Sequence, residues 1–133
     1  MSFEVVNVTD GVLSKDPRPF SSATKANGFI FVSGQASVAD GKIISDSFEN
    51  QFFRSMKNLE LILTEAGASL KDVCRVCCYV HDPKDGPLFN QLYRDYFSEP
   101  YPARTTLLNC LNDKLAFEID VVAVDPNWKP QGV

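Results

Sequence analysis

Apolar and polar positions alternate in short runs over the first third of the chain, and this pattern predicts strands. The predicted strands are 5–8, 20–26 and 29–32, and the turn signals are Thr9-Asp10-Gly11, Asn27-Gly28 and Asp40-Gly41. Asn-Gly between two extended runs is a strong short-range signal for a hairpin. The strand over 29–32 has apolar side chains on both faces, so we expect both faces to be covered.

A helical spacing of apolar residues follows in the middle of the chain. It predicts a first helix over about 48–66, with an apolar stripe of Phe52, Met56, Leu59, Leu63 and Ala66. Asp46 and Glu49 have the spacing of a capping box at the start of this helix. Gly67 is a natural stop at its end.

A strand and a second helix come next. The strand is predicted over 73–80, and the turn over 82–86 leads into a helix that Pro87 starts. The apolar side of this helix holds Phe89, Leu92, Tyr93 and Tyr96.

The last two predicted strands are 104–111 and 115–124, joined as a hairpin around Asn112-Asp113. Pro100 and Pro102 hold the chain extended before them, which places Arg104 at the start of a strand. The tail that follows is expected to pack loosely.

The order of these elements predicts one α+β domain, a sandwich of one mixed sheet with both helices on one face. The domain covers 1–133, with a core over about 19–124 and a tail over 125–133. Two helices cover only one face, yet 29–32 and 121–124 carry apolar residues on both. Self-association is the simplest way to cover the second face.

Composition and charge narrow the function classes. The net charge is −4 and no Lys/Arg-rich run offsets it, so nucleic acid is a poor candidate partner. The N-terminus has no signal-peptide pattern, and no apolar run reaches the roughly 20 residues that span a bilayer. We therefore expect a cytosolic protein without a membrane partner, whose four cysteines are reduced thiols.

Arg104 is the first candidate site residue, because a positioned guanidinium binds a carboxylate or phosphate through paired hydrogen bonds. The alternative is a surface ion pair at a strand end. Glu118 and Asp120 lie two apart, on one face of the last predicted strand. That strand either faces solvent or places one carboxylate in a pocket with Arg104, and the hairpin register that would decide which carboxylate is not fixed.

Other motifs carry less chemistry. Cys74 and Cys77 are three apart in a predicted strand and so point to opposite faces, while Cys74 and Cys78 share one and are expected to be buried. His81 is the only histidine, which excludes a histidine-based metal cluster and a two-histidine ribonuclease mechanism. No glycine-rich phosphate loop is present, so a dinucleotide cofactor is not indicated. With one histidine, and with Cys74 and Cys77 on opposite faces, no metal site is expected either.

Four motifs in order resemble those of the Rid family, the YjgF-like reactive-intermediate deaminases, also labelled endoribonuclease L-PSP. The resemblance covers about 19–124. The motifs are Val32-Ser33-Gly34-Gln35, Asn90-x-x-Tyr93 with Tyr96-Phe97, Pro102-Ala103-Arg104, and Phe117-Glu118-Ile119-Asp120-Val121-Val122-Ala123.

The resemblance implies a chorismate-mutase-like subunit in a homotrimeric barrel, with clefts between subunits and no cofactor. In the deaminases of the family, the residue matching Arg104 clamps the substrate carboxylate, and the residue matching Glu118 positions the attacking water. The residues matching Ser33, Gly34 and Asn90 line the cleft. The implied activity is that of a 2-iminobutanoate/2-iminopropanoate deaminase, which converts 2-imino acids to 2-oxo acids and ammonia.

Three departures from the family pattern bear on this activity. Phe20 stands where many members have a tyrosine, so a cleft hydroxyl is absent. Thr106 stands where members often carry a cysteine. Between Arg104 and Leu111 the chain is one residue shorter than the usual pattern, which requires a bulge or a shifted turn. We therefore predict imine hydrolysis by Arg104 and Glu118, with a trimer that only binds small carboxylates or acts as a chaperone as the alternative, and a ribonuclease or translation inhibitor as a weaker one.

Overall fold

Eight strands and two α-helices make up the part of the chain that this computed structural model describes, residues 2–8 and 18–130. The strands are β1 (Glu4–Val6), β2 (Ala23–Ala26), β3 (Phe29–Ala36), β4 (Val38–Ala39), β5 (Lys42–Ile43), β6 (Val73–Val80), β7 (Ala103–Leu108) and β8 (Phe117–Val124). The helices are α1 (Phe48–Glu65) and α2 (Gly86–Tyr96). The predicted turn at Thr9-Asp10-Gly11 and the end of the tail, 131–133, lie outside the described residues.

Both predicted two-residue turns are confirmed. Asn27 and Gly28 have φ values of 48° and 87°, and they join β2 to β3 as an antiparallel hairpin. Asp40 and Gly41, with φ values of 52° and 76°, join β4 to β5 in the same way. Positive φ at both central residues matches the right-handed twist of the flanking strands.

The main sheet has six strands in the order β1-β2-β3-β8-β6-β7. Only β6 and β7 run parallel, so the sheet is mixed, as predicted. The predicted hairpin between 104–111 and 115–124 is wrong: β7 pairs with β6, and β8 lies between β3 and β6. The reason is that α2 carries the chain across the helix layer, so that β7 returns parallel to β6 at the sheet edge.

The backbone after β7 is irregular. The pairing of β6 with β7 runs without a shift from Arg75 opposite Ala103 to Val80 opposite Leu108. Beyond it, Asn109 and Leu111 take φ values of 57° and 77°. The β6–β7 ladder therefore contains no bulge, and the left-handed residues lie in the loop that follows it.

Helix α1 begins at Phe48, as predicted, but its N-cap is one residue later than the predicted Asp46. Ser47 is the N-cap, and its hydroxyl accepts a hydrogen bond from the Asn50 amide at 3.2 Å. Asp46 binds the Arg54 guanidinium through two hydrogen bonds of 3.0 and 3.1 Å, so its carboxylate is not available to cap the helix. Gly67 ends the helix with a φ of 84°, as predicted.

The core lies between the two helices and one face of the sheet. Its fully buried side chains include Phe52, Met56, Leu59 and Leu63 from α1, Phe89 from α2, and Ile30, Val76, Val80 and Ile119 from the sheet. Both helices therefore cover the same face, as predicted. Neither helix in the described part of the chain has the length and apolar composition that a membrane crossing needs.

The opposite side of the sheet, here called the open face, is the side that neither of the described helices covers. Its side chains include Phe29, Phe31, Leu107, Glu118, Asp120, Val122 and Val124. Phe29 and Phe31 are 43 % and 44 % exposed there, although Ile30 and Val32 between them are buried. The prediction of strands that are apolar on both faces is confirmed.

A bulge in β6 overturns one cysteine prediction. The register with β8 shifts between Val73 and Arg75, which interrupts the alternation of side chains. Cys74 is therefore exposed, whereas Cys78 is fully buried in the core. The two thiols do not share a face, and only Cys78 is the buried small residue that the sequence predicts.

Candidate active site

Arg104 is fixed by α2, which packs beside the start of β7. Its Nη2 donates a hydrogen bond of 2.9 Å to Asn90 Oδ1. Its guanidinium carbon lies 4.6 Å from the ring centroid of Tyr93 and 5.0 Å from that of Phe89. Stacking on two rings and one hydrogen bond hold the guanidinium in a single position. We call Asn90, Tyr93 and Arg104 the arginine half-site.

A hollow of about 210 Å³ opens in front of this guanidinium, and Tyr101 and Pro102 form part of its wall. The approach held by prolines therefore places an aromatic wall beside the arginine. A guanidinium that faces a hollow of this size can bind a small carboxylate through the edge of its plane.

The floor behind Arg104 is polar but shielded from solvent. Thr106 is paired with Cys78 across the β6–β7 ladder. Among the described residues, the hydroxyls of Tyr93 and Thr106 are buried without a hydrogen-bond partner. Burial raises the pKa of the Cys78 thiol and of the Tyr93 hydroxyl to about 12, so both stay protonated at neutral pH. Thr106 thus lies next to the hollow, not in its open wall.

Glu118 lies on the open face, against the backbone of β3. A Cβ added to Gly34 would stand 2.7 Å from Glu118 Oε2 and 2.9 Å from its Cδ, so a glycine is needed for the carboxylate to lie there. Burial raises the pKa of this carboxyl, and the negative charge of Asp120 raises it further. Asp120 in turn accepts a hydrogen bond of 2.7 Å from the Tyr79 hydroxyl.

Ser33 precedes Gly34 in β3 and is bonded to the segment that carries Phe20. Ser33 Oγ donates to the Ser21 carbonyl at 2.6 Å, and its amide donates to the Ser22 carbonyl at 2.9 Å. These two bonds hold the segment with Phe20 against β3, where Phe20 and Ser33 line a groove of about 370 Å³. We call Phe20, Ser33, Gly34 and Glu118 the glutamate half-site.

The two half-sites lie on opposite faces of the sheet. Arg104 is opposite Val76 in the ladder, on the side that the helices cover, whereas Glu118 is opposite Tyr79, on the open face. The prediction that one chain places Arg104 and an acidic residue in a shared pocket is therefore wrong. The cause is the position of β6, which separates β7 from β8.

His81 has a structural role, as its position at a strand end predicts. Its Nδ1 lies 2.9 Å from the Cys110 carbonyl, and its Nε2 lies 3.6 Å from Asp113. Within residues 2–8 and 18–130, no three His, Cys, Asp or Glu side chains group closely enough to hold a metal ion.

Two aromatic residues that hold Arg104 were not predicted as site residues. Phe89 was assigned only to the apolar side of the second helix, and Tyr93 to that side and to a family motif, yet the rings of both lie against the guanidinium. The signal was available, because Asn90 and Tyr93 are three apart and share one side of a helix. The sequence did not show that β7 would lie next to that helix.

The chain resembles known proteins over most of its length. It matches the family model described as Endoribonuclease L-PSP over residues 14–125. A RutC family protein of Pyrococcus abyssi is 37% identical over 108 residues, which are 79% of this chain and 85% of that relative. The chloroplastic Reactive Intermediate Deaminase A of Arabidopsis thaliana is 37% identical over 90 residues, 66% of this chain and 48% of that protein.

Solved structures agree with the expected α+β fold. The crystal structure of yeast Mmf1 superposes with a TM-score of 0.82 at 27% identity, over 93% of this chain and 99% of that one. The match to the family model covers the motifs that contain Arg104 and Glu118. The chain therefore belongs to the Rid family, the YjgF-like proteins whose family model is described as endoribonuclease L-PSP.

Proposed function

We propose that the protein is an imine deaminase, which hydrolyses 2-imino acids to 2-oxo acids and ammonia in a cleft between two copies of the chain. One observation carries the proposal: Arg104 and Glu118 are each held by built surroundings, yet the sheet separates them within one chain. In a homotrimer, the arginine half-site of one subunit faces the glutamate half-site of the next.

The arginine half-site binds and orients the substrate. The Arg104 guanidinium takes the carboxylate next to the imine carbon through charge-assisted hydrogen bonds. Stacking on Tyr93 and the hydrogen bond to Asn90 fix the position of the guanidinium. The bound carboxylate is therefore fixed as well, and the imine carbon is held in one orientation.

The glutamate half-site activates water. Glu118 takes a proton from a water molecule as the water oxygen bonds to the imine carbon, the C=N electron pair moves to the nitrogen, and the nitrogen takes that proton from Glu118. In the resulting carbinolamine, Glu118 takes the hydroxyl proton and passes it to the amino group as the C–N bond breaks, so that ammonia leaves and the carbon becomes the carbonyl of a 2-oxo acid. Burial and the charge of Asp120 raise the pKa of Glu118, which makes its carboxylate a stronger proton acceptor than an exposed one.

The relatives support this chemistry by name, since one of them is called a reactive intermediate deaminase. A ribonuclease is disfavoured because a net charge of −4 repels the phosphate backbone. A carboxylate-binding trimer without turnover is the second candidate. The presence of Phe20 favours this second candidate, because its ring is exposed in the groove and has no hydroxyl that could hydrogen-bond to the reacting atoms.

The decisive experiment generates 2-iminopropanoate in situ with an amino-acid oxidase and follows its loss. The wild type is expected to accelerate the loss, and Arg104→Ala and Glu118→Gln each to lower the rate by about 100-fold or more. Lys42→Gln changes the charge at an exposed site in the separate β4–β5 hairpin, outside the main sheet, and serves as the control. No acceleration by a correctly assembled wild type contradicts the deaminase and leaves carboxylate binding, which 2-oxobutanoate titration then measures.

A further inference from the structure

Arg18 lies beside the glutamate half-site, and the proposed reaction gives it no role. Its guanidinium carbon lies 4.7 Å from the ring centroid of Phe20. Its Nη2 donates a hydrogen bond of 3.1 Å to Ser22 Oγ. A long, flexible side chain is thus held at two points, by an aromatic platform and by a hydroxyl.

The segment that carries Arg18 is attached to the same strand that Glu118 contacts. Ser22 and Ser21 accept hydrogen bonds from the amide and the hydroxyl of Ser33. The next residue, Gly34, is the one over which the Glu118 carboxylate lies. The positive charge of Arg18 is therefore held on the ring of Phe20, which lines the groove together with Ser33, the residue before Gly34.

The orientation of this guanidinium leaves it able to bind an anion. A guanidinium has five N–H donors in its own plane, and stacking on a ring occupies its face rather than its edge. One donor is directed to Ser22. Since a carboxylate binds the guanidinium edge, the contact with Phe20 and the binding of an anion are compatible.

We propose that Arg18 is a second anion anchor of the cleft, and that the preferred substrate is a 2-imino acid whose side chain ends in a second carboxylate. The inference rests on the proposed function. Arg104 takes the carboxylate beside the imine carbon, the Phe20 ring packs against the methylene stem, and Arg18 binds the far carboxylate.

The lack of an acidic partner for either guanidinium favours this class over an imino acid with an apolar side chain. Among the described residues, neither Arg104 nor Arg18 forms an ion pair with an Asp or Glu side chain. A dicarboxylate neutralises both cations, whereas a monocarboxylate leaves Arg18 facing an apolar group. Phe20 serves here as the platform of the anchor, a role that needs a ring and no hydroxyl.

Two stable 2-oxo acids test the anchor without any turnover. Calorimetry on the assembled protein compares 2-oxoglutarate, which has the second carboxylate, with 2-oxobutanoate, which lacks it. The wild type is expected to bind 2-oxoglutarate about tenfold or more tightly, as one charge-assisted contact provides. Arg18→Gln is expected to abolish this preference and to leave the 2-oxobutanoate affinity within about twofold, whereas Lys42→Gln leaves both affinities unchanged.

Equal affinity for the two acids in the wild type overturns the anchor, and so does a preference that survives in Arg18→Gln. An equal loss of affinity for both acids in Arg18→Gln also overturns the anchor, because a general disturbance of the cleft explains that result. The imines of the two acids, generated in situ, separate this inference from the proposed function. If both imines are hydrolysed at equal rates, the anchor is contradicted and the deaminase is not. If binding prefers 2-oxoglutarate through Arg18 but neither imine is hydrolysed, the deaminase is contradicted and the anchor is not.

Discussion

Arg104 and Glu118 lie on opposite faces of one sheet, on strands that β6 separates. The arginine is held by α2 on the covered side, and the glutamate lies over Gly34 on the open side. No side-chain rearrangement within one chain brings the two groups to the same small molecule. The proposed chemistry therefore requires two copies of the chain, and this requirement can be tested directly.

Mixing two inactive variants is expected to restore activity. Arg104→Ala retains an intact glutamate half-site, and Glu118→Gln retains an intact arginine half-site. When the two are unfolded and refolded together, random assembly in equal amounts gives about a quarter of the clefts both native groups. The rate of imine loss should recover to about that fraction of wild type.

Each variant refolded alone is the control for this experiment, and it should stay inactive. If the mixture is as inactive as its components while its mass shows mixed assemblies, the two groups do not meet between subunits. The cleft proposed above would then be wrong, whatever the activity of the wild type.

Gly34→Ala is expected to lower the deaminase rate by about 10- to 100-fold, because the added methyl group displaces the proposed base. The new Cβ would stand 2.7 Å from Glu118 Oε2, closer than real Cβ contacts allow. Steady-state kinetics of imine loss measures the effect. Gly86→Ala is the matched control, since a Cβ there meets nothing within 4 Å, and it should retain wild-type activity. Full activity in Gly34→Ala would show that the position of Glu118 is not critical.

Local signals in the sequence predicted the elements that depend on few neighbours. Asn27-Gly28 set a hairpin because positive φ at two adjacent residues is a local requirement. The apolar stripe of α1 likewise predicted which side of that helix packs in the core. The motif residues Arg104 and Glu118 were found for a different reason, namely resemblance to a family.

Pairing between distant strands was not readable in the same way. The order of β8, β6 and β7 depends on a crossover through α2, while Asn112-Asp113 offered a local hairpin signal that forms only an isolated bridge, between Asn112 and Leu115. The contact of Gly34 with Glu118 depends on the β3–β8 pairing and its shifted register. The side of the sheet on which each site residue lies thus became clear only from the fold.

The pH dependence of the reaction is expected to change when Asp120 loses its charge. Burial and, secondly, Asp120 raise the pKa of Glu118, so the base is lost as the pH falls through a pKa above the usual carboxyl range. Asp120→Asn removes the repulsion between the two carboxylates and lowers that pKa. The acid limb of the kcat/KM profile should therefore move to lower pH.

Asp40→Asn is the control for the pH experiment, because Asp40 lies in an exposed turn where asparagine also tolerates the positive φ. Its profile should match that of the wild type. An acid limb that stays in place in Asp120→Asn, or moves to higher pH, contradicts the assignment of Glu118 as the titrating base.

Assembly through the open face is the last prediction. Phe31 and Phe53 are exposed to similar extents, 44 % and 38 %, but Phe31 lies on the open face and Phe53 on the outer side of α1. A charge buried at an interface costs far more free energy than one left in water. Phe31→Glu is therefore expected to lower the mass measured by light scattering from that of a trimer toward that of a monomer, and Phe53→Glu to leave it unchanged. Deaminase activity should fall together with the mass in Phe31→Glu, because the cleft requires two copies. A wild type that is monomeric at micromolar concentration, or a Phe31→Glu variant that keeps the trimer mass, would mean that the open face is not the interface.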